Sequence, residues 1–218
     1  SASAADIDKD LRRTFPGHRL FVGDGPALPA LRRVLVAYSV HNPVVGYCQS
    51  LNVVAAMLLL FVDEEDAFWL LDTLVARVIP GYHSPALPAC LADQEILAGL
   101  LSDRLAGPNR AFRTLDADWR LVTVPWFLCV FVGCLPLEAT LRVWDVIFFD
   151  LHPAPLFRVA LAIFQRSEHE VAAAADSTAA LITLRECALQ SHDADQLIAT
   201  AFADRRCRVL SYIYIYMD

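Results

Sequence analysis

Two short polar clusters stand out in an otherwise apolar chain. The first runs Ile7-Asp8-Lys9-Asp10-Leu11-Arg12-Arg13-Thr14-Phe15-Pro16. Read as a helix, it buries Ile7 and Leu11 on one face and makes Asp10 and Arg13 neighbours, so the carboxylate can hold the guanidinium. Pro16 stops the helix soon after. Arg13 then sits at a helix-to-loop edge, facing whatever groove lies there. The same spacing also describes a plain surface ion pair worth under about 1 kcal/mol. The second cluster is Asn42-Pro43-Val44-Val45-Gly46-Tyr47-Cys48-Gln49-Ser50-Leu51-Asn52. A Pro/Gly turn leads directly into the most apolar stretch of the chain. Gln49 therefore stands at the mouth of a core element, an exposed amide on a rigid base. A plainer reading has Gln49 and Asn52 capping that helix.

Other chemistry is poorly supplied. No dinucleotide fingerprint, phosphate-binding loop, nucleophile elbow or His-Glu-x-x-His pair occurs. The six histidines are scattered at 18, 41, 83, 152, 169 and 192, so no metal site is expected. His169, within Ser167-Glu168-His169-Glu170, reads as part of a solvated helix face. Arg142 and Asp145 repeat the Asp10/Arg13 spacing and read as a structural pair anchoring the second half.

The elements that must hold these clusters are helical. Leu28, Leu31, Leu35 and Tyr38 make one stripe; Ala67, Leu71, Leu74 and Val78 another; Leu137, Leu141, Trp144 and Phe148 a third. Asp63, Asp176 and Asp193 read as helix N-caps, the first followed by an acidic turn suited to the helix dipole. Pro29, Pro88 and Pro136 suit a first helical turn, whereas Pro43, Pro80, Pro85, Pro108 and Pro153 mark breaks. Val53 to Phe61 is apolar all round and must be central. Leu121 to Cys134 and Ile213 to Tyr216 carry strand-like composition, but nothing offers them a partner strand, so both read as helical.

Composition bounds the rest. The chain has 218 residues, 18 basic and 25 acidic, for a net charge of −7. That balance disfavours a nucleic-acid backbone as ligand. A 56% hydrophobic content excludes intrinsic disorder. The two apolar runs Val53–Val62 and Trp126–Leu135 fall well short of the roughly 20 residues of a spanning helix, so no transmembrane segment is expected. An apolar-ligand pocket is a further reading of the high apolar content, though a buried core explains it equally. Six cysteines, none in Cys-x-x-Cys spacing and most within apolar runs, read as free thiols of a cytoplasmic protein. The start lacks signal-peptide features and reads as an internal boundary with sequence upstream.

Together, Ile7-x-x-Asp10-x-x-Arg13 and Tyr47-x-Gln49 resemble the two signature motifs of the TBC domain, the family of GTPase-activating proteins for Rab GTPases. The surroundings are similar too: Arg13-Thr14-Phe15-Pro16-x-His18, Asn42-Pro43-x-Val45-Gly46-Tyr47-Cys48-Gln49, Glu65-x-Ala67-Phe68-Trp69, Trp126-Phe127-Leu128 and Leu141-Arg142-Val143-Trp144-Asp145. The likeness runs in order from Ile7 to at least Phe164. Ser50 and Leu51 stand where the family usually has Gly and Met, and Phe149-Asp150-Leu151-His152 replaces Phe-x-Glu-Gly. The family's first helix has no counterpart.

The resemblance implies an all-α fold of many short helices in two lobes sharing one core. It implies a single domain over 1–218, with an N-terminal lobe of about 1–118 carrying the motifs and a C-terminal lobe of about 119–218. It implies activation of a GTP-bound Rab in vesicle trafficking by two fingers supplied in trans. Arg13 would stabilise charge on the leaving phosphoryl group, and Gln49 would orient the attacking water. Asp10 would position Arg13, and Tyr47 would brace the Gln49 loop. The chain would have no turnover, cofactor or metal of its own, since the Rab carries GTP and Mg²⁺. It would be a monomer, cytoplasmic or peripheral on endomembranes through its Rab. The rival reading is a catalytically silent Rab-binding or scaffold module.

Overall fold

A computed structural model describes residues 3–203, and every regular element among them is helical. The expected helix at Ile213–Tyr216 lies outside the described residues. The chain divides into two compact units, Ser1–Ala89 and Cys90–Asp218. The helical segment Ala106–Thr114 and most of Pro88–Arg104 group with the second unit, although the sequence reading set the lobe boundary near 118.

The first unit holds α1 (Ala4–Leu11), α2 (Leu28–His41), α3 (Leu51–Leu58) and α4 (Glu64–Asp72), the last running into a π-helical turn at Thr73–Val78. Helix α3 is central: it packs on α1, α2 and α4, and all its residues but Val53 are buried. The apolar-all-round signal thus located the core helix, but the helix stops at Leu58 rather than Phe61. Tight turns, with the Leu60 and Phe61 amides donating to the Met57 and Leu58 carbonyls, take the chain out to Asp63 and leave Phe61 56% exposed. Asp63 then caps α4 by accepting from the Asp66 amide at 3.1 Å. Ala67, Leu71, Leu74 and Val78 form a fully buried stripe.

The second unit runs from α5 (Pro88–Arg104) through α6 (Ala106–Thr114), α7 (Arg120–Leu128), α8 (Leu137–Asp150), α9 (Ala154–Arg166), α10 (Glu168–Ala172) and α11 (Ser177–Leu189) to α12 (Ala194–Ala203). Its centre is α9, whose Phe164 ring meets Phe112, Trp119 and Trp126 edge-on. Three sequence expectations change here. The buried face of α8 is Ala139, Thr140, Val143, Trp144 and Ile147, one step round from the expected stripe, and Leu137 is exposed. Leu121–Cys134 is helical only as far as Leu128; Val130 and Phe131 then take left-handed backbone, and the Val130 carbonyl accepts from Trp144 Nε1 at 2.8 Å. Pro108 does not break a helix but sits in the first turn of α6, where a missing N–H costs nothing.

No helix among the described residues is long and apolar enough to cross a membrane. None of the five described cysteines is in a disulfide.

The loop between α1 and α2 is closed by the Ala27 amide donating to the Leu20 carbonyl at 3.0 Å. Gly25 lies so close under this closure that a Cβ there would collide with the Leu20 carbonyl backbone. Gly25→Ala should therefore cost about 1–3 kcal/mol in urea unfolding. Gly17→Ala, with open space at its Cβ position, should stay within about 0.5 kcal/mol of the parent.

Candidate functional site

The polar site grows from the end of α1. After Leu11 the backbone tightens, the Arg13 and Thr14 amides donating to the Asp10 and Leu11 carbonyls at 3.1 and 3.2 Å. Phe15 takes a left-handed conformation, φ 44°, and Pro16 forbids further helix. Arg13 is thereby held at the rim just past the helix.

Asp10 is the hub. The residue is 6% exposed. Its Oδ1 accepts from Arg13 Nε at 2.8 Å, and Arg13 NH2 lies 2.7 Å away. Its Oδ2 accepts from the Tyr47 hydroxyl at 2.6 Å. One carboxylate thus grips both the arginine and the loop that carries Gln49. The Arg13 side chain stays 56% exposed while paired.

The loop itself is organised by Asn42. Its side chain accepts from the Val45 amide and donates to the Tyr38 hydroxyl, both at 3.2 Å, and its carbonyl accepts from the Gly46 amide at 2.8 Å. Gly46 sits at φ +59°, a conformation glycine adopts without penalty. Gln49 follows, exposed, and its side-chain amide makes no hydrogen bond among the described residues. Gln49 therefore caps nothing. Ser50 occupies the N-cap position of α3, yet its hydroxyl makes no cap bond and is buried without a partner.

A second polar thread escaped the sequence reading. The Thr14 hydroxyl donates to the Asp10 carbonyl at 2.7 Å and accepts from Asn52 Nδ2 at 2.7 Å. Asn52 Oδ1 in turn accepts from the Ser50 amide at 3.2 Å. Thr14 and Asn52 are both buried. The signal that pointed to them was a lone amide in the most apolar helix of the chain, which has to find partners in the interior.

The electrostatics leave no nucleophile. Burial pushes the Tyr47 hydroxyl well above its usual range, and the bond to the Asp10 carboxylate pushes it further, so it remains a donor. Burial, then the Asp10 charge, raises the Cys48 thiol and keeps it neutral. Among the described residues, no three His, Cys, Asp or Glu side chains group to hold a metal ion. What the site offers is a permanently charged guanidinium and a neutral amide on rigid supports. Elsewhere in the first unit, Lys9, Arg32 and Arg33 pair with Asp6, Asp8 and Glu64 on the surface. In the second unit Arg142 binds Asp195 at 3.2 Å, closer than Asp145 at 4.0 Å, and so ties α8 to α12.

The chain is similar to known proteins over most of its length. Residues 1–172 match the family described as the Rab-GTPase-TBC domain. Growth hormone-regulated TBC protein 1 of Xenopus tropicalis is 41% identical over 167 residues, covering 74% of this chain and 48% of that protein. A TBC domain-containing protein of Schizosaccharomyces pombe is 38% identical over 213 residues, covering 97% of this chain and 27% of that protein. The chain thus spans about half the length or less of these curated relatives. The crystal structure of the Chlamydomonas flagellar RabGAP TBC domain superposes with a TM-score of 0.84 at 37% identity, covering 94% of this chain and 68% of that one.

Ser50 stores strain, since its φ is +109° and its ψ −36°. Non-glycine residues held in sparsely populated backbone regions cost about 1–3 kcal/mol, and a buried orphan hydroxyl adds to this. Ser50→Gly should raise unfolding stability by roughly 1 kcal/mol after the greater unfolded-state entropy of glycine is deducted. The shift in urea midpoint at constant m-value measures it.

Proposed function

This chain belongs to the Rab-GTPase-TBC domain family, and we propose that it is a GTPase-activating protein that completes the active site of a GTP-bound Rab with Arg13 and Gln49. The observation that carries the proposal is the shared hold on Asp10: one buried carboxylate fixes an exposed arginine and, through Tyr47, the loop of an exposed, unbonded glutamine.

In this reading the Rab binds GTP and Mg²⁺ as the reacting system, and this chain turns over nothing alone. As the γ-phosphoryl group leaves, charge grows on its oxygens. Arg13 meets that charge with a planar donor fork that stays ionised. Gln49 is neutral and can both donate to and accept from the attacking water. Asp10 and Tyr47 act by positioning. Through such a partner the chain would act in vesicle trafficking, in the cytoplasm or at endomembrane surfaces. A catalytically silent Rab-binding role would need neither an exposed arginine nor an exposed amide on rigid supports. Both are present, which favours activation.

Single-turnover GTP hydrolysis by a panel of Rab proteins, with and without the chain, tests the proposal. No acceleration of any Rab that binds would leave the scaffold reading standing. Arg13→Ala should lower stimulation by roughly 10³- to 10⁵-fold, a loss far larger than the modest drop in unfolding stability expected when the buried Asp10 carboxylate loses its cation. Arg13→Lys should recover little, because an ammonium lacks the fork.

The division of labour over the water gives a sharper test. Gln49→Ala should sharply reduce stimulated turnover. A Rab whose own switch glutamine is changed to leucine should still respond to the unmutated chain. A dispensable Gln49 beside an indispensable Rab glutamine would overturn the assignment.

A further inference from the structure

Resting on the activation reading above, we propose that Thr14 and Asn52 are positioning residues: a buried hydrogen-bond relay that sets the Gln49–Ser50 peptide in fixed register with the turn that carries Arg13. The relay has three links. The Asp10 carbonyl, one turn before Arg13, accepts from the Thr14 hydroxyl. That hydroxyl oxygen accepts from Asn52 Nδ2. Asn52 Oδ1 accepts from the amide of Ser50, the residue directly after Gln49.

The relay does something the Asp10–Tyr47 bond does not. Tyr47 fixes the loop two residues before Gln49; Asn52 fixes the peptide immediately after it. Gln49 is therefore pinned from both sides, and both pins lead back to Asp10, one through its carboxylate and one through its carbonyl. The hydroxyl of Thr14 is required in both its roles, as donor and as acceptor. The strained backbone of Ser50 also needs a restraint, and among the described residues its amide finds one in Asn52. The Cys48 and Gln49 amides have no acceptor among the described residues. Positioning of this kind acts on the chemical step, because a misplacement of about 1 Å costs on the order of 10²-fold in rate. Thr14 and Asn52 are themselves buried and offer no surface to a partner, so their loss should change rate more than binding.

The test joins amide exchange of the free chain to single-turnover kinetics. In the unmutated chain the Ser50 amide should exchange at least about tenfold more slowly than the Cys48 amide, although both lie outside helices. Exchange of Ser50 at the free-peptide rate overturns the relay with no variant made. Thr14→Val keeps shape and removes the hydroxyl; Thr14→Ser keeps the hydroxyl. In Thr14→Val, Ser50 protection should fall about tenfold. The maximal stimulated hydrolysis rate should fall at least about tenfold, with the Rab concentration for half-saturation within about threefold. Thr14→Ser should restore protection and rate to within about twofold. A folded Thr14→Val that keeps both overturns the inference. So does a Thr14→Ser as slow as Thr14→Val, which would reduce the pair to core packing. If no Rab responds while Ser50 protection behaves as stated, the relay stands and the activation reading is what fails.

Discussion

The first unit depends on one buried carboxylate. Removing Asp10 from water disfavours its charge unless nearly every lone pair is met. The surroundings meet this demand with a guanidinium on one oxygen and a phenol on the other. That demand dictates geometry. Arg13 cannot swing away without leaving a buried charge half-solvated, and the loop at Tyr47 cannot lift without exposing the same oxygen. The site is thus rigid for an electrostatic reason, while its two outward-facing side chains remain accessible.

Rigidity of this origin concerns entropy as much as energy. A free arginine or glutamine on a surface loop samples many rotamers, and ordering each on encounter costs roughly 1.5–2 kcal/mol. Here the arginine is largely ordered on folding, through a contact with no role in binding. The glutamine differs: its backbone is anchored at Tyr47 and Ser50, but its side chain keeps its freedom until something meets it. One group is oriented in advance, and the other is placed in advance and oriented late.

How much of this was legible depends on sequence separation. Asp10 and Arg13 lie one helical turn apart, so local geometry alone predicts their contact. Tyr47 reaches Asp10 across 37 positions and Asn52 reaches Thr14 across 38, and no periodicity encodes such pairings. The Tyr47 role came from family resemblance, and the Thr14–Asn52 link from the structure alone. Helices with strong stripes, such as the one through Ala67 and Leu71, read correctly because burial on one face leaves a 3.6-residue signature. The helix beginning at Leu137 read one step out of phase, because it buries Thr140 alongside its apolar residues and exposes Leu137. The left-handed turn at Val130 and Phe131 was invisible, since β-branched and aromatic residues ordinarily avoid it.

The surface ion pairs of the first unit have a consequence for how it meets other molecules. Lys9, Arg32 and Arg33 each lie within a few ångströms of a carboxylate, so each pair behaves as a short dipole. Beyond a Debye length of about 8 Å such dipoles contribute almost no field. These three cations therefore reach less far into solvent than their formal charge suggests. With the chain as a whole acidic, its net charge does not steer an anionic partner toward it at long range. Recognition is then decided at short range, by shape and by the few groups left outside these pairs.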